Sequence, residues 1–225
     1  MDVTTARLKR TFNDERSGNI VAALERAYAV NVRRYQPSLG DDGMNFGLNV
    51  YKAKVHFLVL LSEHFPWLRV VQRTPFFRIQ VDDYYLSTYC AGHADGIDPM
   101  EAFPSNRNRA GKLAEVNLQQ MTLWSPEEWE HAIRVHRDDS ACRELILNDV
   151  GNAMDGLLKV FIGVPIEATE DGKVNGWSTV LELWSRGLGS LDLPSLPFGP
   201  DAPPENITRF RPTIKEQPKT QTEEE

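Results

Sequence analysis

Phe76-Phe77-Arg78-Ile79-Gln80-Val81-Asp82-Asp83-Tyr84-Tyr85-Leu86-Ser87-Thr88-Tyr89-Cys90 is the stretch on which the fold turns. Phe77, Ile79 and Val81 alternate with Arg78 and Gln80. That period of two puts one face of a strand on a core and the other toward water. Asp82-Asp83 makes a turn, and Tyr84 to Cys90 return as a strand rich in aromatic and β-branched side chains. The pattern predicts a β-hairpin, preceded by a shorter strand at Leu68 to Arg73.

Upstream the period is that of a helix. Val21, Leu24, Tyr28, Val32 and Tyr35 recur at spacings of three and four, predicting a helix capped by Ser17 and stopped by Pro37. Residues before it read as an irregular or partly helical lead-in. Gly40 to Gly43 reads as a turn, without the acidic spacing of a calcium loop. A second helix is expected from about Phe46 to His64, with Leu48, Tyr51, Val55, Leu58 and Ser62 on one face, widened by Phe57 and Leu61.

Downstream, Ala91 to Lys112 is polar and broken by Gly and Pro, and Leu113 to Trp124 is ambiguous between helix and strand. Ser125-Pro126-Glu127-Glu128 is a helix start, with an end near Arg137. Strands are expected at Glu144 to Asn148, at Leu157 to Ile162 (ended by Gly163 and Pro165), and at Trp177 to Trp184, with a turn at Glu170 to Lys173. Helices followed by hairpins give an α+β fold: two amino-terminal helices, then a mainly antiparallel sheet with one further helix.

The 225 residues are 41% hydrophobic and 25% charged, an ordinary globular balance. Residues 1–190 are read as a single globular domain, and 191–225, proline-rich and acidic, as a solvated, disordered tail. Within that tail Ile207, Arg209, Phe210 and Arg211 could dock on a partner as an extended peptide. Cys90 and Cys142 form no C-x-x-C pair, which suits a reducing, cytoplasmic setting. No segment approaches the roughly 20 apolar residues that span a bilayer, so no membrane association is expected.

A net charge of −7 argues against a nucleic-acid reader, although Arg107, Arg109 and Lys112 form a small basic cluster. The histidine spacings do not make a zinc pair: His131 and His136 are five apart, about 140° around a helix. There is no G-x-S-x-G, no S-x-x-K and no phosphate loop. A metal-dependent nuclease would draw on Asp82, Asp83, Glu115 and His93, but Asn117 stands where the accompanying lysine belongs. No metal, no cofactor and no catalytic set is therefore predicted.

Taken together, Asp42-Gly43, Phe46-Gly47-Leu48-Asn49-Val50-Tyr51, the hairpin, Glu101-Ala102-Phe103-Pro104, Gly151-Asn152, Asp155-Gly156-Leu157 and Ile162-Gly163-Val164-Pro165 resemble a set of bacterial proteins, often actinobacterial. Those proteins accompany phage-type regulators and metallopeptidases in defence or toxin–antitoxin-like loci. The likeness covers roughly residues 40–185 and consists of turn glycines and aromatics. It implies a genomic neighbourhood and carries over no functional residue. The expectation is a binding or regulatory protein whose partner is another protein encoded nearby, with a hydrolase and a nucleic-acid binder as alternatives.

Overall fold

A computed structural model describes residues 3–73, 77–103, 112–117, 143–168, 174–187 and 193–198. Three helices come first: α1 (Val3–Thr11), α2 (Asp14–Arg34) and α3 (Gly43–His64). The lead-in is thus a helix, which buries Leu8, while Phe12 just beyond it is also buried. Helix α2 begins three residues before the expected cap. The cap is Asn13, whose side chain accepts from the Arg16 amide at 3.0 Å. Ser17 lies inside the helix instead, its Oγ donating to the Phe12 carbonyl at 2.9 Å. Gly40 closes a 3-10 turn at Pro37–Leu39 with a φ of 95°, and Asp42 caps α3 by accepting from the Asn45 amide at 2.7 Å.

A six-stranded sheet follows, in the order of the chain: β1 (Leu68–Gln72), β2 (Arg78–Val81), β3 (Tyr84–Gly92), β4 (Glu144–Asn152), β5 (Gly156–Ala168) and β6 (Val174–Ser185). The hairpin stands as expected, Arg78 opposite Ser87 and Val81 opposite Tyr84. Its turn places Asp82 at a φ of 49°, a left-handed conformation that aspartate tolerates. Neighbours are antiparallel except β3 and β4, which run parallel. A parallel pair needs a long crossover, and here the chain between Gly92 and Glu144 supplies it, including a short helix at residues 112–117. The fold is α+β. The helix expected from Ser125 and the turn at Glu170 to Lys173 lie outside the described residues.

The sheet is packed on both faces. On one side Leu145, Leu147, Ile162 and Val164 meet Leu24, Leu58 and Leu61 of the helices. On the other, Ile146, Val150, Phe161 and Trp177 meet Leu113. Burial from both sides explains why β4 reads as an unbroken apolar run at Leu145-Ile146-Leu147.

Three expectations need correction. Gly163 and Pro165 do not end β5, which continues to Ala168. Pro165, lacking an N–H, sits where the pairing with β6 is already irregular. At Gly163 a Cβ would come within 2.5 Å of the Trp177 ring, so the glycine serves packing. Second, α3 buries Phe46, Val50, Lys54, Phe57, Leu58 and Leu61, whereas of the expected face Leu48 is exposed and Tyr51 and Val55 are half-buried at the margin of the core. The core stripe lies one residue earlier, about 100° around the helix. Third, residues 193–198, assigned to the tail, lie against the helices, with Phe198 buried on Phe57.

Candidate functional site

The four acid–base candidates do not converge. Asp82 and Asp83 form the β2–β3 turn, where Asp82 accepts from Arg16 at 2.6 Å. His93 follows the far end of β3, and eight steps of strand separate the two ends of that element by roughly 27 Å. Glu115 is exposed on the short helix, and Asn117 beside it is a buried brace, its amide donating to the Glu144 and Pro165 carbonyls at 2.8 Å each. Lys112 is exposed at the start of that helix. Arg107 and Arg109, and the whole of Ile207, Arg209, Phe210 and Arg211, lie outside the described residues.

A different set of ionisable groups does converge, under the helices at the carboxy-terminal ends of the parallel strands. Asp149 of β4 accepts from the Lys54 ammonium at 2.5 Å through one oxygen and from the Tyr28 hydroxyl at 2.5 Å through the other. Register places Cys90 of β3 beside Asp149. Tyr28 comes from α2 and Lys54 from α3, so one carboxylate ties both helices to the sheet. Lys54 is 3% exposed, Tyr28 2% and Asp149 0%. An ion pair this dry is stable only while both members are present.

The geometry does not make a nucleophile of Cys90. Its thiol donates to the Gly92 carbonyl at 3.5 Å, and the His93 Nδ1 is 4.0 Å away. That nitrogen also lies 3.1 Å from the Gly151 carbonyl, which can only accept, so Nδ1 carries the proton and cannot take one from sulfur. Burial, then the Asp149 charge, pushes the thiol above its ordinary 9.0, the reverse of what an activated cysteine requires. The same two causes hold the Tyr28 hydroxyl far above its ordinary 10.0.

These shifts set a pH dependence. In the unfolded chain both groups release protons near pH 9 to 10, whereas the folded chain retains them. Their contribution is therefore complete below about pH 9 and is lost as pH rises, at up to about 1.4 kcal/mol per pH unit for each group. Urea midpoints measured between about pH 8 and 10.5 are expected to fall, and to fall less steeply in Tyr28→Phe. A wild-type slope no steeper than that of the variant would mean that Tyr28 titrates normally in the fold.

Two surface features remain. The face of α3 that the core does not use carries Met44 (83% exposed) and Leu48 (51%), with Leu39 (80%) on the preceding turn. Tyr51 and Val55, further along the same line, are half-buried and pack against the core, Tyr51 accepting from the Phe77 amide through its hydroxyl. The second feature is a furrow along α2, bordered by residues 193–196. Among the described residues no three His, Cys, Asp or Glu side chains gather to hold a metal ion, and no helix is long and apolar enough to cross a membrane.

No family model, curated protein or solved structure matches the chain. Sequence reasoning missed the Tyr28–Asp149–Lys54 cluster, although two signals were present. Lys54 interrupts an otherwise apolar line between Val50 and Leu58, and Asp149 interrupts the buried strand between Leu147 and Val150.

Proposed function

We propose that this chain is a non-catalytic binding protein that engages another protein through the outer face of α3. One observation carries the reading: at the amino-terminal end of α3 the core takes Phe46 and Val50, while Met44 and Leu48, with Leu39 on the preceding turn, stay exposed. Met44 and Leu48 lie four apart on one face, the spacing with which one helix packs on another, and Tyr51, three further on, carries that line to the margin of the core. The partner surface that fits is an amphipathic helix. Burying an exposed side chain of this size contributes about 1.5–3 kcal/mol when complete, so Leu39, Met44 and Leu48 together supply several kcal/mol. The buried cluster, closed to solvent, acts on this reading as a fastener that holds α3 in place.

The resemblance to proteins of defence or toxin–antitoxin-like loci makes the product of a neighbouring gene the first partner to test. No comparable cluster supports the hydrolase or nucleic-acid readings, whose candidate residues are scattered or lie outside the described set. The test is co-purification from the native host with wild type and with Met44→Asp/Leu48→Asp. Both positions are more than half exposed, so the double variant should fold. We expect a stoichiometric partner with wild type and at least a thirtyfold loss of its affinity in the variant. A partner that binds both alike, or none with wild type, overturns the proposal.

A further inference from the structure

We infer that the furrow along α2, together with the Phe198 slot where α2 meets α3, is a binding site for an extended, proline-rich peptide with an aromatic anchor, and that residues 193–198 occupy it in cis. The inference is independent of the outer face of α3. Leu193-Pro194-Ser195-Leu196-Pro197-Phe198 runs without helix or strand across the helical layer. Phe198 is 9% exposed, its ring stacked on Phe57 at 6.0 Å and 7°. The Arg26 guanidinium lies over both rings, at 5.5 and 5.9 Å, and His64 packs beside Phe198 at 5.9 Å. Pro194 rests where Gly18 leaves room: a Cβ there would come within 3.2 Å of the proline ring.

The segment gives the core one buried side chain, Phe198, and otherwise lies along its surface as a docked peptide would. Pro194, Ser195 and Pro197 are exposed, and Leu193 and Leu196 are half-buried. Among the described residues its anchoring consists of one aromatic ring, a cation over it and apolar side contacts. An arginine-topped aromatic slot with a small-residue floor is the chemistry that recognises extended proline-rich peptides. Prolines limit the freedom that such a peptide loses on docking, which is why few contacts suffice.

The segment also leaves the furrow partly unfilled. A space of about 370 Å³ remains alongside it, bordered by Ala22, Arg26, Ala29 and Leu196. A second space, of about 520 Å³, opens toward Val32, Arg33, Trp184 and Arg186. Both are of the size that ligand sites occupy. A longer peptide from a partner could use this room as well as the Phe198 slot, which the chain's own segment cannot do.

The experiment titrates a synthetic peptide of residues 193–199, which contains no tryptophan, into the full chain, followed by the chain's tryptophan fluorescence and by calorimetry. An intramolecular segment competes at an effective concentration of the order of millimolar, so wild type should bind weakly. Phe198→Ala, which empties the slot, is expected to bind the peptide saturably and at least tenfold more tightly than wild type. A peptide with alanine in place of its phenylalanine should bind neither. Should Phe198→Ala fail to fold, Pro194→Gly/Pro197→Gly serves instead. It changes only exposed positions, loosens the segment in cis, and should raise peptide affinity severalfold. A folded variant of either kind that shows no saturable binding up to about 1 mM peptide, or binds no better than wild type, overturns the inference.

Discussion

Replacing Lys54 with methionine is expected to lower the free energy of unfolding by about 3–5 kcal/mol, although methionine keeps the length and nearly the volume of the side chain. The loss comes from what is left behind. Asp149 is fully buried, and without the ammonium its charge keeps the Tyr28 hydroxyl but loses its counter-ion. A carboxylate cannot recover its water there, so the cost of burying it is no longer offset. In a domain of this size the change corresponds to a fall of roughly 6–20 °C in melting temperature. Asp149→Asn alone strands the ammonium and should also destabilise. The double variant Lys54→Met/Asp149→Asn removes both charges, yet keeps an oxygen for the Tyr28 hydroxyl. It is expected to recover most of the loss. Urea unfolding of the four proteins gives the coupling directly, and a value under about 0.5 kcal/mol would mean that water reaches the pair.

Gly151→Ala carries the second large effect, expected at about 3–5 kcal/mol in the same assay. A Cβ at this position would lie 2.5 Å from the Gly156 carbonyl oxygen and 2.5 Å from Tyr28 Cε1. Neither neighbour is free to yield. Gly156 begins β5 and is paired with Asn152 across the hairpin, while the Tyr28 ring is held by its bond to Asp149. Overpacking costs about 1–3 kcal/mol by itself, and displacing a hydrogen bond to a charged group adds about 1.5–3. Gly47→Ala is the control. Nothing lies within 4 Å of a Cβ at that exposed helical site, so the same added methyl should be neutral or stabilising. Equal, small effects at the two glycines would show that the β4–β5 turn can move away from α2.

Much of the fold was legible because its signals are local. The hairpin from Arg78 to Gly92 was readable from alternation and a two-aspartate turn, since strand periodicity is a property of one segment and its neighbour. The two long helices were readable from spacing and stop signals, with ends displaced by a few residues. The cap moved to Asn13 because an asparagine three residues ahead of an amide competes equally well with a serine. Pro165 misled because a proline ends a strand only where the ladder is regular.

The candidate sites were less legible, and the reason is the same at each. Lys54 was left out of the expected face of α3, which was set by apolar side chains alone, and the buried stripe lies one residue earlier. The burial of Lys54 depends on a carboxylate 95 positions away, and the carboxylate depends in turn on a tyrosine 121 positions before it. No window along the chain contains that information. Phe198 was likewise given to the tail, because proline-rich composition argues against a core unless a slot such as that of Arg26 and Phe57 already exists.

Composition, spacing and turn chemistry by themselves determined an α+β chain with helices first and a mainly antiparallel sheet after them. Only the tertiary structure decided that β3 and β4 run parallel, which stripe of α3 faces inward, and that Tyr28, Lys54 and Asp149 meet. Periodicity is set by bonds between near neighbours. The burial of a charge is set by whether a distant partner arrives to replace water.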